Sequence, residues 1–364
     1  MVDPRAIERL AAGRRTAVVS GTNGKTTTTA LLARALGDAV AHNHTGANLH
    51  TGIAAAYADS ASRVAAIEVD ELTLPGILTM VRPRVVVLLN LSRDQLDRSH
   101  EVARVRERWA EALAESDAMV VANCVDPNVV AVAPSDRTVW FDPGTRWTED
   151  ALVCPRCGGL VSWDDAGWSC ACGFTMPRPD YRVDGDAVTT AQGVRLALDL
   201  SLPGRINVGN ASAALAAAVA MGVDPEEATR RMHHVGSVAG RYALYDIGGR
   251  PAQLLLAKNP AGMASALELV GGAQAIIGVN ARTPDARDTS WLYDVPFEAL
   301  AGRQVGATGE RRADLALRLE LAGAQPVVDA DPHHLARRLP SGPLALLGTY
   351  TCFRDWRQED AWRG

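Results

Sequence analysis

The first chemical signal is seven consecutive residues, Gly21-Thr22-Asn23-Gly24-Lys25-Thr26-Thr27. Glycines on either side of two polar residues let backbone amides turn inward around an anion. Lys25 adds a compact positive charge, and Thr26 offers a hydroxyl to Mg²⁺. Lysine is scarce in this chain, with two among 37 Lys+Arg. A planar guanidinium does not replace a point charge inside a narrow ring of N–H groups, so the lysine kept at position 25 marks a phosphate cradle. The spacing departs from G-x-x-x-x-G-K-T, because Val19 occupies the first glycine position and leaves G-x-x-G-K-T-T. The expected ligand is ATP with Mg²⁺.

Two further groups of residues suit metals. Glu68 lies near the end of the apolar stretch Val64–Val69, where a carboxylate can hold Mg²⁺ opposite Thr26, with Asp70 and Glu71 competing for that role. Cys154-x-x-Cys157 and Cys170-x-Cys172 place four thiols on two knuckles, with Gly158 and Gly173 following. Four thiolates suit tetrahedral Zn²⁺ in a closed, structural site, and no basic cluster nearby suggests a nucleic-acid ribbon. Cys124 and Cys352 stand apart and read as buried small apolar side chains. His42, His44 and His50 read as part of a loop near the nucleotide, and the pairs His233-His234 and His333-His334 as helix-end or surface residues.

These residues need elements to hold them. Ala17–Ser20 predicts a short buried strand, and Thr27–Leu36 a helix starting on the glycine loop, the arrangement that aligns amides and helix dipole on a phosphate. Val64–Val69 and Val85–Asn90 are apolar and β-branched, as strands buried on both faces are. Helical patterns at about 102–115 and 207–221 complete an α/β alternation that predicts a parallel, doubly wound sheet. The rhythm breaks at about 147–180, read as an inserted four-cysteine zinc ribbon, and a β-like stretch follows at Val194–Leu200. Strands at Gln253–Leu256, Ala275–Val279 and Leu344–Leu347 predict a second, Rossmann-like sheet. The expected domains are 1–238, which binds ATP, and 239–364.

A chain of 364 residues with 47% hydrophobic residues can bury two such cores. Its net charge of −5 gives no general pull toward nucleic acid. No apolar run reaches the roughly 18 residues that span a bilayer. The start, Met1-Val2-Asp3-Pro4-Arg5, lacks a signal-peptide pattern, which gives a cytoplasmic expectation.

The phosphate loop, Glu68 within Ile67–Glu71, Asn90-x-x-x-Asp94-Gln95-Leu96-Asp97-Arg98, Leu202–Asn210 and Gly240-Arg241 together resemble the Mur ligase superfamily. More narrowly, Gln95 where that superfamily usually has histidine, the four-cysteine insertion, Ala257–Gly262, Asp285–Asp294 and Gly348–Thr351 resemble the MurT family. That family is the ligase-like subunit of lipid II isoglutaminyl synthase. The resemblance implies an ATP-dependent carbon–nitrogen ligase that activates the D-glutamate α-carboxylate of the lipid II stem peptide as an acyl phosphate. Ammonia then yields D-isoglutamine at the inner face of the plasma membrane.

Carried onto this sequence, the resemblance assigns Gly21 through Thr27 to the ATP phosphates and Thr26 and Glu68 to Mg²⁺. Asn210 goes to adenine and Arg241 to the phosphates. Asp285 and Asp288 match a segment tied to catalysis and to a glutaminase partner. Lys258, the second lysine, is a candidate for charge work at the acyl phosphate. No glutaminase nucleophile is recognisable, so a GatD-like glutamine amidotransferase in a heterodimer is the expected ammonia source. Two departures separate the chain from amino-acid-adding relatives. Glu101–Glu115 contains no lysine for a carbamate-bridged second metal, and only 20 residues precede the loop, too few for a UDP-precursor domain. The competing readings are a folylpolyglutamate-synthase-like ligase and a non-catalytic nucleotide-binding scaffold.

Overall fold

The computed structural model describes residues 5–93, 102–239, 241, 242, 244–285 and 287–361. The expectations placed on Asp94–Arg98, Gln95 among them, and on Gly240 therefore lie outside the described residues. The chain divides into two compact units, the second of which includes everything from Gly240 onward.

In the first unit, strands β1 (Arg15–Ser20), β2 (Val64–Glu68), β3 (Val85–Leu88), β4 (Met119–Asn123) and β5 (Thr138–Asp142) run parallel. A hairpin, β6 (Val161–Asp164) and β7 (Gly167–Cys170), stands apart as a two-stranded sheet. The main sheet then continues through β8 (Tyr181–Asp184), β9 (Ala187–Thr190) and β10 (Arg195–Ala197), in the order β10-β9-β8-β5-β4-β3-β1-β2. Only β10 was anticipated, within the stretch 194–200. β8, β9 and β10 form an antiparallel extension, and their alternating exposed residues leave no continuous apolar run to read.

Helices of this unit are α1 (Ala6–Ala11), α2 (Lys25–Leu36), α3 (His50–Ala58), α4 (Leu74–Val81), α5 (Val102–Ala114), α6 (Pro127–Val132), α7 (Arg205–Ala220) and α8 (Pro225–Met232). Val18, Ile67, Val86, Leu88 and Val120 from the strands close a core with Trp109 and Leu113 of α5 and Ile77 of α4. Helix α7 is rich in alanine and buried on most of its surface, so it lies close against α2 and the sheet. Register matters for the site. Val19 pairs with Glu68 and Ser20 with Leu88, so the ends of β2, β1 and β3 finish level and side by side. Parallel sheets present their ligands at this carboxyl edge.

The second unit has strands β11 (Leu244–Ile247), β12 (Arg250–Leu256), β13 (Gln274–Gly278), β14 (Gln304–Thr308), β15 (Gln325–Val328) and β16 (Leu344–Gly348), in the order β11-β12-β16-β13-β14-β15. All pair in parallel except β11, which is antiparallel to β12. Helices α9 (Pro260–Val270), α10 (Arg312–Leu321), α11 (Pro332–Arg338) and α12 (Tyr350–Ala361) cover it. Among the described residues no helix is long and apolar enough to cross a membrane.

One packing detail of this unit is testable. Gly278 and Gly348 sit opposite each other on β13 and β16. A Cβ at either would lie 2.5 Å from the Trp356 ring of α12. The two glycines make a flat bed for the indole. Gly348→Val should push Trp356 out and cost about 1–3 kcal/mol, the range for overpacked cores. Thermal unfolding followed by tryptophan fluorescence checks it, with the loss confined to the second unit's transition.

Candidate functional site

The glycine loop sits at the end of β1 and is clipped to the end of β3. Thr22 N donates to Asn90 O at 2.9 Å, and Asn23 N to Asn90 Oδ1 at 2.8 Å. Asn90 Nδ2 returns a bond to Asn23 O at 3.0 Å. Ser92 N donates to Thr22 Oγ1 at 3.0 Å, and that hydroxyl donates to Ser92 O at 3.2 Å. Gly21 has φ 140°, and a Cβ there would lie 2.8 Å from Leu89 Cβ, so glycine is required on both grounds. Gly24, with φ 86°, caps α2 and is covered by the Asn210 side chain.

Helix α2 has no side-chain cap. The same holds for α1, α3, α4, α7 and α10, whereas α6, α8, α9 and α11 are each capped by an Asp or Asn that accepts from their first turn: Asp126, Asp224, Asn259 and Asp331. The first-turn donors of a helix need partners from outside it, and an uncapped, glycine-led N-terminus leaves them for an anion.

Lys25 is 6% exposed. Its Nζ donates to Gly21 O at 2.6 Å, Thr22 O at 3.3 Å and Glu71 Oε2 at 3.0 Å. Glu71, read from sequence as a competitor for Mg²⁺, thus faces the loop lysine. Asp70, the other competitor, uses Oδ1 to accept from Leu72 N at 3.1 Å.

Glu68 is buried, and two asparagines set its position. Asn43 bonds the Glu68 backbone twice, as acceptor from its N–H and as donor to its carbonyl, both at 2.8 Å. Asn48 Nδ2 donates to Glu68 Oε1 at 3.0 Å. Gly46 lies between these two asparagines with φ 78°, and a Cβ there would be 3.3 Å from Thr26 Oγ1 and 3.6 Å from Glu68 Oε2. The hydroxyl and the carboxylate therefore flank one small gap that a glycine keeps open. The histidine-flanked segment forms part of this wall, and His42 Nδ1 lies 3.2 Å from its neighbour's carbonyl, Val40 O.

Asn210 Oδ1 accepts from Thr28 Oγ1 at 3.3 Å, and its Nδ2 donates to Asn207 Oδ1 at 3.2 Å, which places it against the loop helix. Asp126 supports the loop from the other side. Its Oδ2 accepts from Leu91 N at 2.7 Å while its Oδ1 caps α6. Burial pushes its carboxyl up to about 6 against the pull of those N–H groups.

The four cysteines converge, with all four sulfurs within 4.8 Å of one another. Cys154 Sγ and Cys172 Sγ are 3.8 Å apart, and Cys157 Sγ and Cys170 Sγ 3.5 Å. A tetrahedron of ~2.3 Å Zn–S bonds has sulfur–sulfur edges of about 3.8 Å, so the cluster has the size of a metal site. Gly158 and Gly173 take positive φ after the second and fourth cysteines, as the knuckle reading expects. Trp168, packed on Phe174 in the same cluster, donates to Cys124 O at 3.1 Å and ties the ribbon to the end of β4. Cys124 and Cys352 are buried, and burial pushes both thiols up, Cys352 to about 12.

In the second unit Arg241 precedes β11, and Lys258 is half-buried between β12 and Asn259, the cap of α9. Asp285 is 3% exposed and bonded throughout. Its Oδ1 accepts from Thr351 N at 2.7 Å, and its Oδ2 from Thr351 Oγ1 at 2.5 Å and Arg282 N at 3.3 Å. It pins the start of α12. Asp288 is exposed and accepts from Ser290 N at 2.8 Å, and that bond holds its carboxyl below the ordinary range.

With this geometry in hand the chain can be set beside known proteins. Residues 19–141 match the Mur ligase middle domain and residues 256–353 the MurT ligase C-terminal domain. The lipid II isoglutaminyl synthase (glutamine-hydrolyzing) subunit MurT of Staphylococcus aureus strain COL is 31% identical over 341 residues, 85% of this chain and 78% of that one. The chain belongs to the MurT family. The subunit of the same name from Streptococcus pneumoniae is 28% identical, covering 98% of this chain and 89% of the relative. In fold, a pseudomurein peptide ligase type C from Methanothermus fervidus superposes with a TM-score of 0.76 at 20% identity, covering 96% of this chain and 79% of the other.

The ATP and Mg²⁺ that MurT-family membership implies fit the residues present. An uncapped helix start, a buried lysine and an oxygen pair across a glycine gap form a consistent donor set. From sequence, Asn90 heads a motif and Asn43 and Asn48 lie in a loop expected near the nucleotide, but their bracing role, and Asp126 altogether, were not read there. A buried asparagine beside a loop is the available signal, since its amide must find both donors and acceptors. Gly46→Ala should fill the gap between Thr26 and Glu68. Mg²⁺-dependent nucleotide affinity should fall by roughly tenfold or more, as when a metal's surroundings are disturbed. The strained φ should add about 1–2 kcal/mol of destabilisation. Calorimetric titration with and without Mg²⁺ separates the two effects.

Proposed function

We propose that this chain is the ligase subunit of a lipid II isoglutaminyl synthase. The observation that carries the reading is the match, across both units, to subunits of that name. In this reading the loop amides and Lys25 bind the ATP phosphates, and Thr26 and Glu68 hold Mg²⁺, which when bound neutralises charge on the transferred phosphoryl group. A carboxylate oxygen of the D-glutamate residue in the lipid II stem attacks the γ-phosphorus and ADP leaves. Ammonia then attacks the acyl carbon, the bond to phosphate breaks and the nitrogen gives up a proton, leaving D-isoglutamine and phosphate. Aligned amides and Lys25 favour the charge that develops on the phosphoryl oxygens. Asn210 serves adenine, Arg241 the ATP phosphates and Lys258 the acyl phosphate, and the reaction takes place at the inner face of the plasma membrane.

Neither lone thiol suits glutamine hydrolysis, since a raised, buried sulfhydryl is a poor nucleophile. A GatD-like glutamine amidotransferase therefore supplies ammonia. The chain alone should amidate lipid II slowly with ATP and concentrated ammonium salt, and not with glutamine. Mass analysis of the product stem reads this directly, and full-rate glutamine use without a partner refutes the partner. Within the acidic segment, Asp288→Ala should abolish glutamine-driven amidation yet spare the ammonium-driven reaction and the melting temperature. Asp285→Ala should instead cost about 1–3 kcal/mol in stability, because it strands buried donors at Thr351.

The four thiolates hold structural Zn²⁺. Metal analysis should find one zinc per chain, and chelation should lower the melting temperature of the first unit. No metal in the purified protein, or no change on chelation, rejects that assignment.

A further inference from the structure

The support of the phosphate loop and the four-cysteine ribbon both rest on one corner of the chain, from Asn123 to Asp126, where β4 turns into α6. On one side the corner holds the end of β3. Asn123 Nδ2 donates to Leu89 O at 2.8 Å, and Asp126 Oδ2 accepts from Leu91 N at 2.7 Å. These bonds bracket Asn90, whose carbonyl and side chain take the amides of Thr22 and Asn23. Leu89 also packs directly on the loop, since a Cβ at Gly21 would lie 2.8 Å from Leu89 Cβ. On the other side the corner meets the ribbon. Trp168 Nε1 donates to Cys124 O at 3.1 Å, and Asn128 Nδ2 of α6 donates to Asp150 O at 3.1 Å. Val130 of α6 closes the ribbon's core, which is otherwise Val161, Trp168, Phe174, Cys154 and Cys170. So few apolar side chains do not hold a fold alone, and a module of this size takes its shape from its metal.

We propose that the ribbon is a brace for the nucleotide site, so that Zn²⁺ binding and nucleotide binding are coupled. With metal on the thiolates, Trp168 of β7 holds Cys124 O and fixes the corner from behind. Asn123 and Asp126 then keep residues 89–91 in place for the loop. Without metal, Trp168 loses its footing two residues from Cys170, and the corner gains freedom that nucleotide binding must remove. Asn123, Asp126 and Trp168 are thus positioning residues, each acting through the strand end rather than on ATP itself. The route is a contiguous set of hydrogen bonds inside one unit. This inference rests on the zinc and ATP readings above and adds a connection between them.

The test is calorimetric titration of the full chain with ADP and with a non-hydrolysable ATP analogue, both in Mg²⁺ and well below the melting temperature. It is run on zinc-loaded protein and on protein stripped with a chelator and returned to chelator-free buffer. Stripping should weaken both ligands by about fivefold or more, the scale of a modest coupling, and Zn²⁺ added back should restore them. By linkage, zinc affinity, read by competition with a colorimetric chelator, should rise by the same factor when ADP is bound. A metal that only stabilises the ribbon would move the melting temperature and leave these affinities alone. Trp168→Phe keeps a ring and loses the bond to Cys124 O. Asp126→Ser keeps a helix cap and supplies one oxygen where Asp126 uses two. Each variant should take up zinc, bind nucleotide more weakly and shrink the coupling factor toward one. Their zinc-loaded affinities carry the test if stripped protein does not stay folded. Equal nucleotide affinity with and without zinc, or zinc-loaded affinities unchanged in both variants, overturns the brace and leaves the zinc and ATP readings standing. A chain that takes up no zinc fails the zinc reading, one that binds neither nucleotide fails the ATP reading, and the brace falls with either.

Discussion

A loop that offers its amides to a phosphate cannot spend them on itself. That constraint organises the first unit. The start of α2 carries donors that a capping side chain could satisfy, as Asp126, Asp224, Asn259 and Asp331 do in α6, α8, α9 and α11. Gly24 supplies no such side chain. The loop must then be held rigid by other means, and the neighbouring strand ends provide them. Asn90 mimics a strand partner for Asn23, Ser92 closes on Thr22, and Asp126 fixes Leu91 between them. The support is polar and takes the Thr22 and Asn23 amides for Asn90, so the phosphate site is centred on the start of α2 beyond Gly24.

The same logic explains the asparagine pair on the other side. A carboxylate meant for a metal must be buried enough to be held and yet keep an oxygen directed at the gap. Asn43 takes the Glu68 backbone and Asn48 takes Oε1, while Oε2 and the Thr26 hydroxyl both border the position of a Gly46 Cβ. The strand register that sets Val19 beside Glu68 and Ser20 beside Leu88 puts these supports on opposite flanks of one loop. Topology brings the residues to the same edge, and side-chain amides set the final ångström.

Much of this was legible in the residues. β1, β2, β3 and the helix after the loop are visible because β-branched apolar runs buried on both faces leave a continuous signal. The knuckles are visible because cysteine spacing has few other uses in such a chain. Strands β8 and β9 of the antiparallel extension were not: half of their side chains face solvent, and the alternation is broken by turns at Gly185 and Gly193. The asparagine supports were missed for a different reason. Asparagine is common in turns, and nothing local distinguishes one that caps a turn from one that braces a strand forty or more residues away, as Asn90 and Asn23 do.

Carboxylates show most plainly where sequence runs short. Glu68 stood out at the end of an apolar strand with Asp70 and Glu71 as competitors, and Asp285 and Asp288 came from the family resemblance, which did not rank them. Their surroundings separate them. Glu68 is locked by two amides beside a hydroxyl, an arrangement for a cation. Glu71 faces a lysine with no spare donor. Asp285 has both oxygens committed to Thr351 and Arg282, and a buried carboxylate so committed is part of the frame. Asp288, exposed and held ionised by Ser290, keeps acceptor capacity for another molecule. What separates these acids is the donors that reach them, Asn43 and Asn48 for Glu68, Lys25 for Glu71 and Thr351 for Asp285, all distant in sequence, against the local Ser290 for Asp288.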